Sequence, residues 1–231
     1  NKNFINIFQE YIFFLETSNI KLQYDNLITY EQCGIILSNK PQILNKYTIN
    51  EYKESNKLLI FTGFGGIEWN YTYGENNALG GSETAVNCLT KELGKKYDIY
   101  VAGNVKEETI GNIKYINLNT LKKLNEPFHT VIVSRYIGFY EVFPNISFCK
   151  SFIWAHDTIL NTYGCNLNVV QLLQKWSSKI NGCICLTNWH KELFLIKYPM
   201  LQNKLDNTIN NGIITELFKY PCNKKIENKF I

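Results

Sequence analysis

Arginine is almost absent from this chain of 231 residues, since Arg135 is the only one. Lysine supplies the other positive charges, which are scattered along the sequence, and the formal net charge is only +4. Proteins that bind nucleic acid usually concentrate basic residues on one face or stripe. The composition therefore argues against a nucleic-acid partner.

The chain has only four aspartates and three histidines, which bears on metal binding. No two aspartates are close enough for an Asp-x-Asp clamp, and His129, His156 and His190 are too far apart to show ligand spacing. The phosphate-binding motif Gly-x-x-x-x-Gly-Lys-Ser/Thr and the nucleophile motif Gly-x-Ser-x-Gly are both missing. We therefore expect neither a metal site nor a metal-dependent mechanism.

The apolar run at residues 4–15 is too short to cross a bilayer and contains Gln9 and Glu10. No signal peptide is visible, and the seven cysteines are odd in number and lie mostly in apolar runs. These features predict a cytoplasmic protein with reduced thiols and no transmembrane segment. Because the sequence does not begin with Met, we expect it to be a piece of a longer protein.

From residue 58 onwards, short apolar runs alternate with helical patterns. The predicted strands are 58–62, 99–102, 113–118, 130–134, 151–155, 183–187 and 208–210, and the clearest helices are 82–96, 167–179 and 189–198. Strands that are apolar on both faces and separated by helices predict a doubly wound α/β domain with a mainly parallel sheet. Residues 1–57 differ in pattern, and we expect them to form a helical lead-in or linker.

Two adjacent glycines, Gly80 and Gly81, precede the first predicted helix. Residues without a Cβ let the backbone approach a ligand, and the first helical turn offers free N–H groups to an anion such as phosphate. The alternative is a plain turn in which Ser82 is the helix N-cap. The glycine pair alone does not decide between the two interpretations.

Further candidates directly follow predicted strands, at the edge of a parallel sheet where ligands bind. They are Arg135 after the strand 130–134, His156 and Asp157 after 151–155, Asn188 and His190 after 183–187, and Asn211 and Gly212 after 208–210. We expect these groups to share one rim with the glycine pair. On that rim Asn188 is expected to be an N-cap and His190 to be structural.

Six short motifs occur in order: Trp-Asn at 69–70, Gly-Gly-Ser-Glu at 80–83, Phe-His-Thr-Val-Ile-Val-Ser-Arg at 128–135, Trp-Ala-His-Asp at 154–157, Cys-Leu-Thr-Asn-Trp-His at 185–190 and Asn-Gly-Ile at 211–213. The series resembles the N-terminal domain of retaining family 4 glycosyltransferases of the GT-B fold, in the branch with a Gly-Gly-Ser-Glu loop. The resemblance covers residues 58–219 and implies a Rossmann-like domain. It also implies that residues 220–231 begin a truncated C-terminal, donor-binding domain.

The resemblance implies a hexosyltransferase that moves a sugar from a nucleoside-diphosphate sugar to an acceptor that the sequence does not identify. No metal or cofactor is implied. Gly80 and Gly81 would approach the donor phosphates, and His156 would lie near the donor sugar or acceptor as the catalytic residue. The family's paired glutamates belong to the C-terminal domain, so we expect the isolated piece to be inactive or very weak.

Four charged or titratable candidates each have a structural alternative. Arg135 offers a planar fork for a phosphate but could form a surface ion pair, and His156 could contact a sugar or cap a strand end. Glu83 and Asp157 could help to bind the donor. Alternatively, Glu83 complements the dipole of the helix that it begins, and Asp157 caps a helix or orients His156.

Three aromatic residues before the glycine pair, Trp69, Tyr71 and Tyr73, are candidates for the acceptor side because aromatic faces stack on sugar rings. Their alternative role is to pack this loop onto the domain.

Two other functions remain open from the sequence. One is a non-catalytic module that binds a sugar or a nucleotide. The other is a nicotinamide-dependent oxidoreductase, which is disfavoured because the dinucleotide fingerprint fails: the glycine-rich run at 63–66 leads to Glu68 where the last glycine should stand.

Overall fold

A computed structural model describes residues 55–205 and 208–212 of the chain. Most of the lead-in predicted at 1–57, and the start of a second domain predicted at 220–231, lie outside the described residues. Within them the chain forms a seven-stranded sheet with helices around it. The predicted α/β fold with a mainly parallel sheet is therefore confirmed.

The strands are β1 (Lys57–Phe61), β2 (Asp98–Gly103), β3 (Glu108–Ile110), β4 (Ile113–Asn117), β5 (Pro127–Ser134), β6 (Ser147–Trp154) and β7 (Gly182–Ile184). They are ordered β3-β4-β2-β1-β5-β6-β7 in the sheet. Every pairing is parallel except that of β3 with β4. Leaving out the short antiparallel β3, the order is that of the Rossmann fold, which reverses direction between β1 and β5.

The helices are α1 (Tyr71–Asn76), α2 (Gly81–Leu93), α3 (Leu118–Lys123), α4 (Phe139–Val142), α5 (Val169–Trp176) and α6 (Asn188–Lys197). Two 3₁₀ turns, Ser177–Lys179 and Pro199–Lys204, follow α5 and α6. No helix in the described part of the chain is both long enough and apolar enough to cross a membrane.

The central strands are apolar on both faces because their side chains alternate between two hydrophobic cores. In β1, Leu58 and Ile60 belong to one core, whereas Leu59 and Phe61 belong to the other. Helix α2 packs on the first core, and α3 to α6 pack on the second. Their buried contacts are Val86, Leu89 and Leu93 on one side, and Leu121, Phe139, Leu172 and Phe194 on the other.

Two strands are shorter than the sequence predicts. Strand β7 ends early because Thr187, not Asn188, caps α6 by accepting a hydrogen bond from the backbone N–H of His190 at 3.1 Å. The strand expected at 208–210 is reduced to a single bridge between Cys185 and Thr208. Short elements such as β3, α1 and α3 were not expected, since so few residues carry no clear periodicity.

Two of the cysteines lie in a core. Cys183 and Cys185 are both buried beneath α5 and α6. They are free thiols, as are the exposed Cys88 on α2 and Cys165. Cys33 and Cys222 lie outside the described residues.

The loop after β1 passes close to the loop after β5 through a glycine. Gly63 is buried and has a φ of +101°, a conformation that other residues rarely adopt. A Cβ at this position would collide with the ring of Tyr136. The absence of a side chain at Gly63 therefore lets the two loops meet where the strand order reverses.

Gly63→Ala should lower the free energy of unfolding by at least about 2 kcal/mol, because both the backbone strain and the Tyr136 ring oppose the added methyl group. The matched control is Gly65→Ala, where an added Cβ meets nothing within 4 Å and φ is not positive. The control should stay within about 1 kcal/mol of wild type. Urea unfolding measures both, and equal effects of the two changes would contradict the account.

Candidate functional site

The candidate site lies at the carboxyl ends of β1, β5 and β6, beside the point where the strand order reverses. Ser134 and Trp154 are paired in register as the last residues of β5 and β6. The residues that follow them, Arg135 and Ala155, therefore leave the sheet side by side. Ligands of doubly wound proteins bind at this edge.

Arg135 has a strained backbone. Its φ of 54° is the only positive value of a residue other than glycine in the described part of the chain. Its N–H donates to the carbonyl of Trp154 at 3.0 Å, and its own carbonyl accepts from the N–H of Asn161 at 2.8 Å. Such a conformation costs roughly 1–2 kcal/mol. Strain that persists because the neighbours enforce it is typical of functional positions.

The guanidinium of Arg135 joins the glycine loop to the loop after β6. Its Nη2 donates to the hydroxyl of Ser82 and lies 3.9 Å from Oε1 of Glu83, while Nη1 lies 3.5 Å from Oδ2 of Asp157. Ser82 in turn donates to Glu83 at 2.8 Å. The side chain of Arg135 is only 19% exposed, so these charges interact with limited screening by water.

The two predicted glycines stand at the start of α2. Gly80, not Ser82, is the N-cap, and it has no side chain to bond the first turn. The first N–H with an intrahelical partner belongs to Thr84, which donates to the carbonyl of Gly80 at 2.9 Å. A Cβ on Gly81 would meet nothing within 4 Å, so the space beside it is open. A Cβ on Gly80 would instead collide with Oε2 of Glu83, so an anion would approach the first turn from the side of Gly81.

His156 lies against the same cluster. Its ring centroid is 4.4 Å from that of Trp154, and its Nε2 is buried without a hydrogen-bond partner among the described residues. Burial, and secondarily the positive charge of Arg135, lower the pKa of His156 from 6.5 to about 4. Asp157 and Glu83 oppose this shift but do not cancel it. The imidazole is therefore neutral at neutral pH.

Three unsatisfied polar atoms lie together at this edge. Within residues 55–205 and 208–212, Arg135 Nε, Trp154 Nε1 and His156 Nε2 are buried and lack hydrogen-bond partners. Trp154 is only 1% exposed. Buried polar groups are nearly always paired, so a local group of unpaired ones makes this edge a candidate binding site.

Asp157 is held in place through its backbone by His190, which is itself buried. The Nε2 of His190 lies 2.8 Å from the carbonyl oxygen of Asp157, and its Nδ1 lies 3.3 Å from the N–H of Leu186. Donation from Nε2 and acceptance at Nδ1 satisfy both contacts. His190 thereby links the loop after β6 to the loop after β7, which fits the structural role expected for it.

The predicted acceptor-side aromatics are not part of the cluster around Arg135. Trp69 is 3% exposed and packs edge-on against Tyr115, with 5.8 Å between ring centroids. Tyr71 and Tyr73 are half-buried in α1 and pack against the same core. This placement fits the alternative in which these residues pack the loop onto the domain. A sugar-stacking role for them remains a prediction that requires Trp69 to leave the core.

The structure brings together Gly80, Gly81, Glu83, Arg135, His156 and Asp157, as the strand-end argument predicts, and their functional roles remain predictions. Two partners were missed. Ser82 was considered only as a cap. Because Gly80 takes the N-cap position, the hydroxyl of Ser82 is free to accept from Arg135. Trp154 was assigned to the strand interior, and nothing in its local sequence signals an unpaired indole N–H.

The end of β2 bears on the oxidoreductase alternative. Dinucleotide-binding proteins use an acidic residue near this position to bind the ribose. Here β2 ends at Gly103, followed by Asn104, whose side-chain amide donates to the carbonyl of Gly66 at 2.9 Å.

Among the described residues, no group of three or more His, Cys, Asp or Glu side chains could hold a metal ion.

Comparisons with known proteins do not assign the site. No protein-family model matches this chain, and no curated protein matches it. The resemblance to glycosyltransferases therefore depends on the ordered motifs and is a proposal.

His156→Gln should reduce the dependence of stability on pH between about 4 and 6.5. Because the folded-state pKa of His156 is lowered to about 4, the unfolded chain binds this proton more readily in that range. The contribution of His156 to the free energy of unfolding is complete above about pH 6.5. It is lost as the pH falls towards 4, by at most about 3 kcal/mol.

Urea unfolding of wild type and variant across that range measures the difference in slope. Since His129 and His190 are unchanged in both proteins, the difference between the two profiles reports on His156. Parallel pH profiles for the two proteins would show that His156 titrates normally in the fold.

Proposed function

We propose that this chain is the N-terminal, mainly acceptor-side, half of a retaining glycosyltransferase that transfers a hexose from a nucleoside-diphosphate sugar. The observation that carries the proposal is the cluster at the start of α2. There the open space beside Gly81, the strained Arg135 and the unpaired Nε2 of His156 converge at the end of the sheet. These are complementary to a diphosphate and an adjoining polar sugar.

In the proposed reaction, an acceptor hydroxyl oxygen bonds to the anomeric carbon as the bond from that carbon to the diphosphate oxygen breaks. The acceptor proton ends on the departing nucleoside diphosphate or in solvent. Negative charge grows on the leaving diphosphate, and the first-turn amides of α2 together with Arg135 stabilise it. Donors that are already oriented stabilise such charge without reorganising.

His156 contributes as a hydrogen-bonding group in this proposal. With a pKa of about 4 it carries no charge at neutral pH, so it is suited to contact a sugar hydroxyl and not to offset the diphosphate charge. Its unpaired Nε2 is the atom available for that contact.

Glu83 and Asp157 act on the anion through Arg135. Both carboxylates lie within 4 Å of the guanidinium, and they occupy the groups that a phosphate would use. A diphosphate must displace at least one of them from Arg135. The displaced carboxylate is then free to accept hydrogen bonds from sugar hydroxyls.

The proposal includes a second α/β domain that binds most of the nucleotide and closes over this rim. We therefore expect the 231-residue chain to bind diphosphate weakly and to show no appreciable turnover. A module that binds without catalysis would share this site. If the second domain is added to the chain, turnover would identify the enzyme, and its absence would identify the binding module.

UDP or GDP should shift the NMR signal of the Arg135 side chain together with the amide signals of Gly80, Gly81 and Ser82. Arg135 is the only arginine, so its Nε–H resonance in a ¹⁵N correlation spectrum is single and needs no assignment strategy. That Nε is also buried and unpaired, which makes its shift sensitive to a new partner. Unchanged signals at millimolar nucleotide would refute the anion site.

Matched charge removals refine this test. Arg135→Gln should weaken UDP binding by about 10- to 100-fold, which corresponds to losing about 1.5–3 kcal/mol of charged hydrogen bonds. Lys95→Gln removes the same charge just beyond the other end of α2, where the side chain is 68% exposed, and should have little effect. If the two variants lost affinity equally, only overall charge would matter.

Glu83→Gln should strengthen UDP binding about threefold or more, because it removes a carboxylate that competes for Arg135 at a partly exposed site. Isothermal titration or the same NMR titration measures the change. Glu92→Gln, at the distal end of α2, is the control with an equal change of charge. Weaker binding after Glu83→Gln alone would mean that this carboxylate contacts the ligand directly.

A further inference from the structure

An exposed tyrosine on the rim is a feature that the proposed anion site does not use. Tyr163 lies in the loop after β6 and is 65% exposed. Its ring lies over that of Phe64, in the loop after β1, with 5.4 Å between centroids and 39° between planes. One side of the tyrosine is thus supported and the remainder faces solvent.

The support beneath Tyr163 extends into the core. Phe64 contacts Phe61 edge-on at 5.3 Å and stacks on Phe143 at 6.1 Å with an interplanar angle of 16°. Phe61 and Phe143 are both fully buried. The exposed ring is therefore the outermost member of an aromatic stack that begins in the core.

The backbone around Tyr163 is also closely packed. Gly164 has a φ of +90°, and a Cβ there would press on the Phe64 ring at 3.1 Å and on Val142 at 3.2 Å. An added Cβ at Gly138 would lie 2.5 Å from the carbonyl oxygen of Tyr163. Two glycines thus allow this loop to lie directly on its neighbours, which presents the tyrosine in a defined position.

This aromatic surface is continuous with the anion site. The ring of Tyr136 contacts Phe64 edge-on at 6.3 Å, and the guanidinium carbon of Arg135 lies 5.8 Å from the Tyr136 ring centroid. Asn161, two residues before Tyr163, donates its N–H to the carbonyl of Arg135. The side chain of Asp157, which is 47% exposed, lies on the same loop as Tyr163 and offers a hydrogen-bonding group.

We propose that the exposed face of the Tyr163 ring, supported by Phe64, is an aromatic platform that binds the pyranose ring of a saccharide acceptor. A flat, supported aromatic face matches the C–H face of a pyranose, and the polar side chain of Asp157 matches its hydroxyls. The platform lies beside the proposed diphosphate site, where an acceptor has to be. This inference rests on the proposed function, and it replaces Trp69, Tyr71 and Tyr73 as the acceptor-side aromatics.

Saturation-transfer NMR on the 231-residue chain tests the platform, with the methyl glycosides of glucose, galactose, mannose and N-acetylglucosamine as probes. At least one glycoside should receive saturation, most strongly at the protons of one ring face. Tyr163→Ala should weaken its binding at least tenfold, whereas Tyr163→Phe should retain it. Tyr97→Ala, at the opposite end of the sheet, should leave binding unchanged.

Three outcomes would overturn the platform. They are the absence of saturation on every glycoside, equal binding by Tyr163→Ala and wild type, and an effect of Tyr163→Ala on self-association without one on sugar binding. The nucleotide-induced shift of Arg135 Nε is measured separately. If the Arg135 signal still shifts with nucleotide when any of these outcomes is found, the platform is rejected but the diphosphate site is retained. If that shift is absent, the proposed function itself is rejected.

Discussion

The parallel register of β5 and β6 is the constraint on which the site depends. Pairing Ser134 with Trp154 makes both strands end at the same level, so the chain leaves the sheet twice at neighbouring points. Arg135 and His156 are consequently close although 20 residues of sequence separate them. Both strands are buried on both faces, so a slip of one residue would exchange the side chains of the two cores, and the packing of each core therefore opposes it.

Arg135 shows how the molecule manages a buried cation. Its guanidinium is mostly enclosed, and an unpaired charge in that position would be costly. Glu83, Asp157 and Ser82 supply the partners within the chain. A phosphate would therefore exchange for existing partners instead of filling a vacant charge site. This exchange limits affinity in the isolated chain, and it makes the geometry of the carboxylates part of the proposed function.

The fold class was predictable because it follows from local patterns. Alternating apolar runs and helical periodicities identify buried strands and surface helices without any knowledge of which strands pair. The rim position of Gly80, Arg135 and His156 followed from the same patterns, since ligand-facing residues come directly after strands. The boundaries of the elements were less certain. Thr187, and not the expected Asn188, caps α6, because the cap depends on side-chain geometry that spacing alone does not specify.

The aromatic residues show the limit of that reasoning most clearly. Trp69 and Tyr163 are both large aromatics in loops at the same edge, and sequence alone offered the first and passed over the second. Which ring is buried depends on what lies opposite it, Tyr115 for Trp69 and Phe64 for Tyr163. Those neighbours come from distant parts of the chain.

The amino-acid sequence by itself determined an α/β domain, the order of its elements and the set of polar residues at the strand ends. These properties depend on periodicity and on near neighbours along the chain. Only the tertiary structure decided that Arg135 adopts a left-handed backbone, that Ser82 and two carboxylates hold its side chain, and that His156 remains uncharged. Each of these depends on burial and on charges brought together by strand pairing, which act through space and leave no trace in local spacing.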